Sequence, residues 1–313
     1  MRTRIITAIA LLLAGSIATA QKWPSNFKAP QKAGSFKVVD LERNHYRSAH
    51  FDLISFKNHS KQFLADFFTC AESVPLVLEA LPLPLLAPSD RKAKIVLHPT
   101  RQAYLADGGA GNTAGFYDSR RNVVLLQWEK LFQQPTESGG LPTHSFDLTI
   151  HELTHLSMHR LISHVEVWLS EGIAEYLAAT YQGKGKYQFD QIDQSVIRRL
   201  NRYRRAGDKA FTLPPLSKLL LANQRDWLRE TAGADPYKAI EPYRAALLLV
   251  HFSFHGGGER LEKTRKHLTL AHEKKRTRPP LAPLYQRDEA AKIEAALAAY
   301  WSKKGIQINF RKD

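Results

Sequence analysis

Cysteine is almost absent from this chain: Cys70 is the only one in 313 residues. No intrachain disulfide can form, so the fold must rest on its core, which a chain of this length can supply. Cys70 itself, within FLADFFTCAESV, reads as a small core residue. Long apolar runs are equally scarce. Beyond residue 20 the richest candidate, AALLLVHFSFH (245–255), is too short to span a bilayer and carries two histidines, which makes it a buried core helix. Internal repeats, low-complexity tracts and nucleic-acid motifs are missing too, so the formal charge of +15 does not point to nucleic acid as a partner.

The chain begins MRTRIITAIALLLAGSIATAQKW. Arg2 and Arg4 form a basic start, residues 5–17 an apolar stretch, and Ala18-Thr19-Ala20 a small-residue cleavage site. This predicts a signal peptide over residues 1–20 and a secreted or periplasmic protein, with no stable membrane insertion after cleavage. Cleavage removes two arginines and leaves the chain strongly basic. The charge gathers in GERLEKTRKHLTLAHEKKRTRPP (258–280), which reads as a solvated helix face or as a surface drawn to anionic envelope polymers.

The remainder divides into a strand-containing part and a helical part. Residues 21–47 read as a polar, loosely structured lead-in. AHFDLISF (49–56) alternates like a strand, and KQFLADFFTCAESVPLVLEAL (61–81) has helical periodicity until LPLPLLAPSD (81–90) breaks it. KAKIVLHP (92–99) and NVVLLQW (122–128) are predicted strands, the second preceded by the glycine-rich GGAGNTAGFYD (108–118). After TESGGLPTH (136–144) the expectation is helix: 145–162, 167–181, 194–205, 215–228, 242–255, a basic helix and 288–301. The predicted fold class is α+β, with a mixed sheet and helices over 21–144, a mostly helical part over 145–313, and a cleft where they meet.

The chemistry concentrates in HELTHLSMH (151–159). On a helix His151 and His155 share a face one turn apart, so two imidazole nitrogens can converge on one ion, with Glu152 beside it as a proton acceptor. With 13 histidines in the chain, a pattern of this kind arises by chance roughly 0.03 times. Neutral imidazole and carboxylate donors suit Zn2+. His159 stands eight residues from His151, about 12 Å along a helix, too far to share the ion, and reads as a structural or outer histidine. Glu171, in WLSEGIAEY (168–176), is the expected third ligand, since the short SHVE link lets its helix fold back. Glu175, one turn further, would hold the far nitrogen of a ligand histidine. Glu166, in the link, is the weaker alternative ligand.

HELTH followed by WLSEGIAEY resembles the gluzincin branch of the HExxH zinc metallopeptidases, most closely its small peptidase-MA-like members. It is also similar to the WLNEGFA pattern of the aminopeptidase N family. The resemblance covers residues 145–181 and EPYRAALLLVHF (241–252). It implies a zincin-like active-site helix, with His151, His155 and Glu171 as zinc ligands and Glu152 as general base. Tyr243 resembles the tyrosine that many gluzincins carry on a later helix, which implies an oxyanion donor. A buried tyrosine capping a packed helix is the other reading, and Tyr237, His251 and His255 are the remaining candidate donors. No GxMEN segment is present, so an endopeptidase is implied rather than an aminopeptidase. NVVLLQW is expected as an edge strand against which an extended peptide or protein substrate lies. The glycine-rich loop before it reads equally as a flap and as a plain turn. Two rivals stay open: a zinc amidase acting on an envelope peptide cross-link, and a zincin-like binding or scaffolding protein without catalysis.

Overall fold

Main-chain pairing begins earlier in the chain than the composition suggests. The computed structural model describes residues 22–86, 92–111, 113–131, 146–202, 204–233, 235–273 and 281–312, and all counts refer to these. The expected signal peptide, the segment 136–144 and residues 274–280 of the basic run lie outside them. The predicted loose lead-in carries three strands: β1 (Asn26–Lys28), β2 (Lys37–Asp40) and β3 (His45–Arg47). Its polar sequence concealed them for a physical reason. In β2 the residues Lys37, Val38 and Val39 are all exposed, and period-two alternation shows only where one face is buried.

β4 (Phe51–Ser55) buries Phe51, Leu53 and Ser55 on one face, as its alternation predicts. Helix α1 (Lys61–Ala80) starts at Ser60, whose hydroxyl accepts the Phe63 N–H at 3.2 Å, and ends before Pro82. Cys70 lies fully buried within it. Then come β5 (Ala93–His98), α2 (Arg101–Ala106), β6 (Gly115–Asp118) and β7 (Val123–Gln127). These strands form a six-stranded mixed sheet in the order β2-β3-β4-β5-β7-β6. β4, β5 and β7 run parallel, and the other pairings are antiparallel. NVVLLQW is therefore not the edge. β7 lies between β5 and β6 with all five residues buried, which is why its sequence is uninterruptedly apolar. The edge on this side of the sheet is β6, hidden at the end of the glycine-rich stretch.

The second part is mostly helical: α3 (Asp147–Ser157), α4 (His159–Ile162) and α5 (Val167–Thr180), then α6 (Ile192–Asn201) after the short β8 (Lys186–Gln188). β9 (Phe211–Leu213) precedes α7 (Leu216–Leu219), α8 (Gln224–Thr231), α9 (Pro236–Ala239), α10 (Glu241–His255), α11 (Gly258–Glu273), α12 (Ala290–Ser302) and β10 (Ile308–Phe310). The class is α+β. The single helix expected over 145–162 divides at Met158, whose N–H is shared between the carbonyls of Thr154 and His155. The helix expected over 215–228 is two short ones, α7 and α8. β1 pairs antiparallel with β8, and β9 pairs parallel with β10, contacts between residues remote in sequence. No helix among the described residues is long and apolar enough to cross a membrane.

One close approach sets the helical packing. A Cβ at Gly172 would stand 2.5 Å from the Ala246 carbonyl oxygen, so only glycine lets α5 lie this tightly on α10. That contact carries Glu171 and Tyr243 on neighbouring helices.

Candidate metal centre and cleft

α3 buries its chemistry. His151 and His155 are each 7% exposed, and their Nε2 atoms face one another at 3.2 Å. α5 packs across α3 and brings Glu171 Oε2 to 3.3 Å from His151 Nε2 and 3.5 Å from His155 Nε2. These three residues form a group of donors able to hold one metal ion. Their mutual separations match the edge of a tetrahedron around zinc, about 3.3 Å for metal–ligand bonds of about 2.0–2.1 Å. With both rings unprotonated at Nε2, these donors would direct three lone pairs at one point, where a cation would relieve their repulsion.

The surroundings fix the donors. His151 Nδ1 lies 2.9 Å from Glu175 Oε1, the role expected for Glu175, and this leaves the Nε2 lone pair facing inward. His155 Nδ1 is 3.1 Å from the Ser170 hydroxyl. Glu175 in turn is gripped by both arms of Arg199, Nε to Oε2 at 2.5 Å and Nη2 to Oε1 at 2.9 Å. Asp147, at the start of α3, lies 3.5 Å from Arg199 Nη1 and also pairs with Arg202. An alternating chain of charges thus runs from the imidazole to the protein surface.

The arrangement favours a positively charged His151 beside an ionised Glu171. Burial alone would pull His151 down, but Glu171 and Glu175 outweigh it and hold its imidazolium up to about 10. Burial raises Glu171, and the two histidines more than reverse that, lowering it to about 2. Glu175 is likewise depressed against its burial, by Arg199 and then His151.

Glu152 is buried beside the donors without being one of them. Burial pushes its carboxyl above the usual carboxylate range. It lies against β6, where a Cβ at Gly115 would meet its Cγ at 2.9 Å, and the Tyr117 backbone N–H donates to it. Tyr243, on α10, stands edge-on to His151 and to Trp227, with ring centroids 6.2 Å and 5.2 Å apart. Burial and then Glu171 raise the Tyr243 hydroxyl, so it keeps its proton and can donate. The three donors, Glu152 and Tyr243 line one cavity of about 540 Å³. β6 forms one wall, and Gln224, Trp227 and Leu228 of α8 form another.

The other sequence candidates are engaged elsewhere. His159 Nδ1 bonds the Tyr117 hydroxyl, an outer position as its spacing required. Glu166 accepts the Leu284 N–H and sits 3.0 Å from His267 Nε2, so it is not part of the donor group. Tyr237 is 40% exposed, with the Arg205 guanidinium over its ring, and does not line the cavity. His251 and His255 also lie away from the cavity lining: His251 lies 2.9 Å from Asp193, and His255 Nε2 lies 2.9 Å from the Tyr176 hydroxyl.

Sequence reasoning missed Arg199, Gly115 and Trp227. Arg199 is one of five arginines in RRLNRYRR, and nothing local distinguishes it. Gly115 had a usable signal, a glycine followed directly by the aromatic pair of a short strand. Compared with protein-family models the chain matches none, and no curated protein matches it either.

Proposed function

We propose that this chain is a zinc-dependent peptidase of the gluzincin kind that its motifs resemble, acting outside the cytoplasm as its N-terminal sequence suggests. The observation that carries this reading is the convergence of His151 Nε2, His155 Nε2 and Glu171 Oε2 within 3.2–3.5 Å of one another, with the Glu152 carboxylate next to them lining the same cleft. Zinc, when bound, supplies the Lewis acidity that brings a water's pKa toward neutrality and polarises a carbonyl. The two imidazoles and Glu171 hold it, while Glu175 and Ser170 keep both rings turned inward. Glu152 takes a proton from the attacking water on its carboxylate and passes it to the departing amine nitrogen. Gly115 leaves the space in which that carboxylate moves. Tyr243 donates its hydroxyl proton as a hydrogen bond to the oxygen that gains charge. The free edge of β6, rather than β7, offers main-chain groups to an extended substrate.

The test pairs metal with turnover. The Glu152→Gln variant is expected to retain one zinc per chain while peptide cleavage falls about 10²–10⁴-fold. Wild-type protein that binds zinc yet shows no chelator-sensitive cleavage of a broad peptide library would favour the non-catalytic reading, and full activity in the Glu152→Gln variant would remove Glu152 as the base.

A further inference from the structure

Among the described residues, the cleft has one cation in its wall that the fold does not use. Arg120 lies in the turn Ser119–Asn122 between β6 and β7 and lines the cavity. Its neighbour Arg121 is committed, with Nη1 donating to the Asp107 carbonyl at 2.6 Å and Nη2 to Asp107 Oδ1 at 2.8 Å. The acid that precedes the turn, at the end of β6, is committed as well. Asp118 Oδ1 accepts the backbone N–H groups of Arg120 and Arg121 at 2.9 and 3.2 Å, and Oδ2 faces Arg121 Nε at 3.9 Å. The turn is therefore held by main chain and by Arg121. The exposed Arg120 guanidinium has no partner among the described residues.

The rest of the wall includes a run of apolar surface. Phe116, Ile162, Val167, Trp227 and Leu228 face the same cavity, and no other lysine or arginine among the described residues does. A free arginine beside apolar surface suits a ligand with a hydrophobic body and one carboxylate, because the guanidinium fork matches a carboxylate's two oxygens. From Gly115, which touches Glu152, to the end of β6 is three residues, roughly 10 Å at about 3.4 Å per residue.

We infer that the cleft selects peptides bearing a carboxylate about two to four residues from the bond that is cut, and that Arg120 receives it. This rests on the peptidase reading, which it deepens by naming a substrate class. An acidic side chain and a free C-terminal carboxylate present the same chemistry. Because Arg120 is exposed, its contribution is modest and sensitive to salt, and it acts through binding rather than turnover.

The experiment uses zinc-loaded full-length protein and a matched set of labelled peptides with a shared apolar centre. They carry Asp, Asn or Lys at the distal position, and a C-terminal acid or amide. Wild type is expected to cleave the Asp or free-acid peptide with kcat/KM about fivefold above its neutral match, the difference lying in KM. Arg120→Ala brings the two together, and Arg120→Glu reverses the order in favour of Lys, both at the wild-type melting temperature. Response to Asp but not to the C-terminal acid assigns a side chain, and the converse assigns the chain end. The same preference persisting in Arg120→Ala overturns the inference. Binding of the peptides to zinc-loaded Glu152→Gln, read by fluorescence anisotropy, separates it from the peptidase reading. Arg120-dependent binding without any wild-type cleavage sinks catalysis but not recognition, and equal binding of acidic and neutral peptides sinks recognition whatever the activity.

Discussion

Two histidine pairs in this chain share the same four-residue spacing on buried helices, and the structure treats them in opposite ways. His151 and His155 on α3 turn their Nε2 atoms toward each other and toward Glu171. His251 and His255 on α10 have ring centroids 4.7 Å apart, yet each looks elsewhere, one to Asp193 and the other to Tyr176. The electrostatics diverge accordingly. Carboxylates from α5 lift His151 against its burial, whereas burial, reinforced by His251, lowers His255 to about 3. Spacing places two imidazoles on one face. Whether they become a cation site depends on the acids that a different helix delivers to them.

The sharpest way to break this contrast is to take the acid away. Glu171→Gln should strip the α3 pair of its third donor, with zinc affinity reduced more than about a hundredfold in a chelator competition. His255→Gln should leave zinc affinity at the wild-type value in the same assay, and an equal loss in both variants would mean that the pairs are not different in kind.

A smaller effect is expected one layer out. Arg199→Gln leaves Glu175 buried without its bidentate partner, so His151 loses the fixed acceptor at Nδ1. Zinc affinity should fall about ten- to a hundredfold, and Arg199→Lys should restore only part of it because an ammonium lacks the fork. Wild-type affinity in the Gln variant would show that Glu175 needs no support.

The last effect leaves zinc affinity unchanged and concerns pH and the second pair alone. His255 has a folded pKa below its ordinary value, so the unfolded chain binds the proton first as the solution is acidified. Its stabilising contribution is complete above about pH 6.5 and is lost as pH falls toward 3. The His255→Gln variant should lose about 2 kcal/mol less stability than wild type between pH 7 and pH 4.5, measured by urea unfolding. Parallel pH profiles for the two proteins would place the acid sensitivity elsewhere.

Much of this was legible from residues. The strand Phe51–Ser55 and the helix Lys61–Ala80 announce themselves by period because each buries a regular face, and α10 by its apolar run because it is buried almost all round. The donors His151, His155 and Glu171 could be named because both helices are locally encoded and joined by a short link. What escaped notice depended on distant partners. β1 is a strand through pairing with β8, and β2 stands at a sheet edge with little of its surface covered. β7 was recognised as a strand but misplaced, since a row of apolar residues shows burial without showing which neighbours provide it.

The sequence by itself named the side chains that the structure gathers into one donor group, and the two helices that carry them, since helical period and donor type are local properties. Only the tertiary structure decided that three donor atoms meet, that Arg199 stands behind Glu175, that β6 rather than β7 borders the cleft, and that a second, equally spaced histidine pair stays in the core. Those outcomes turn on contacts between residues far apart in the chain, such as Gly172 against Ala246, and no local pattern encodes the distance between two helices.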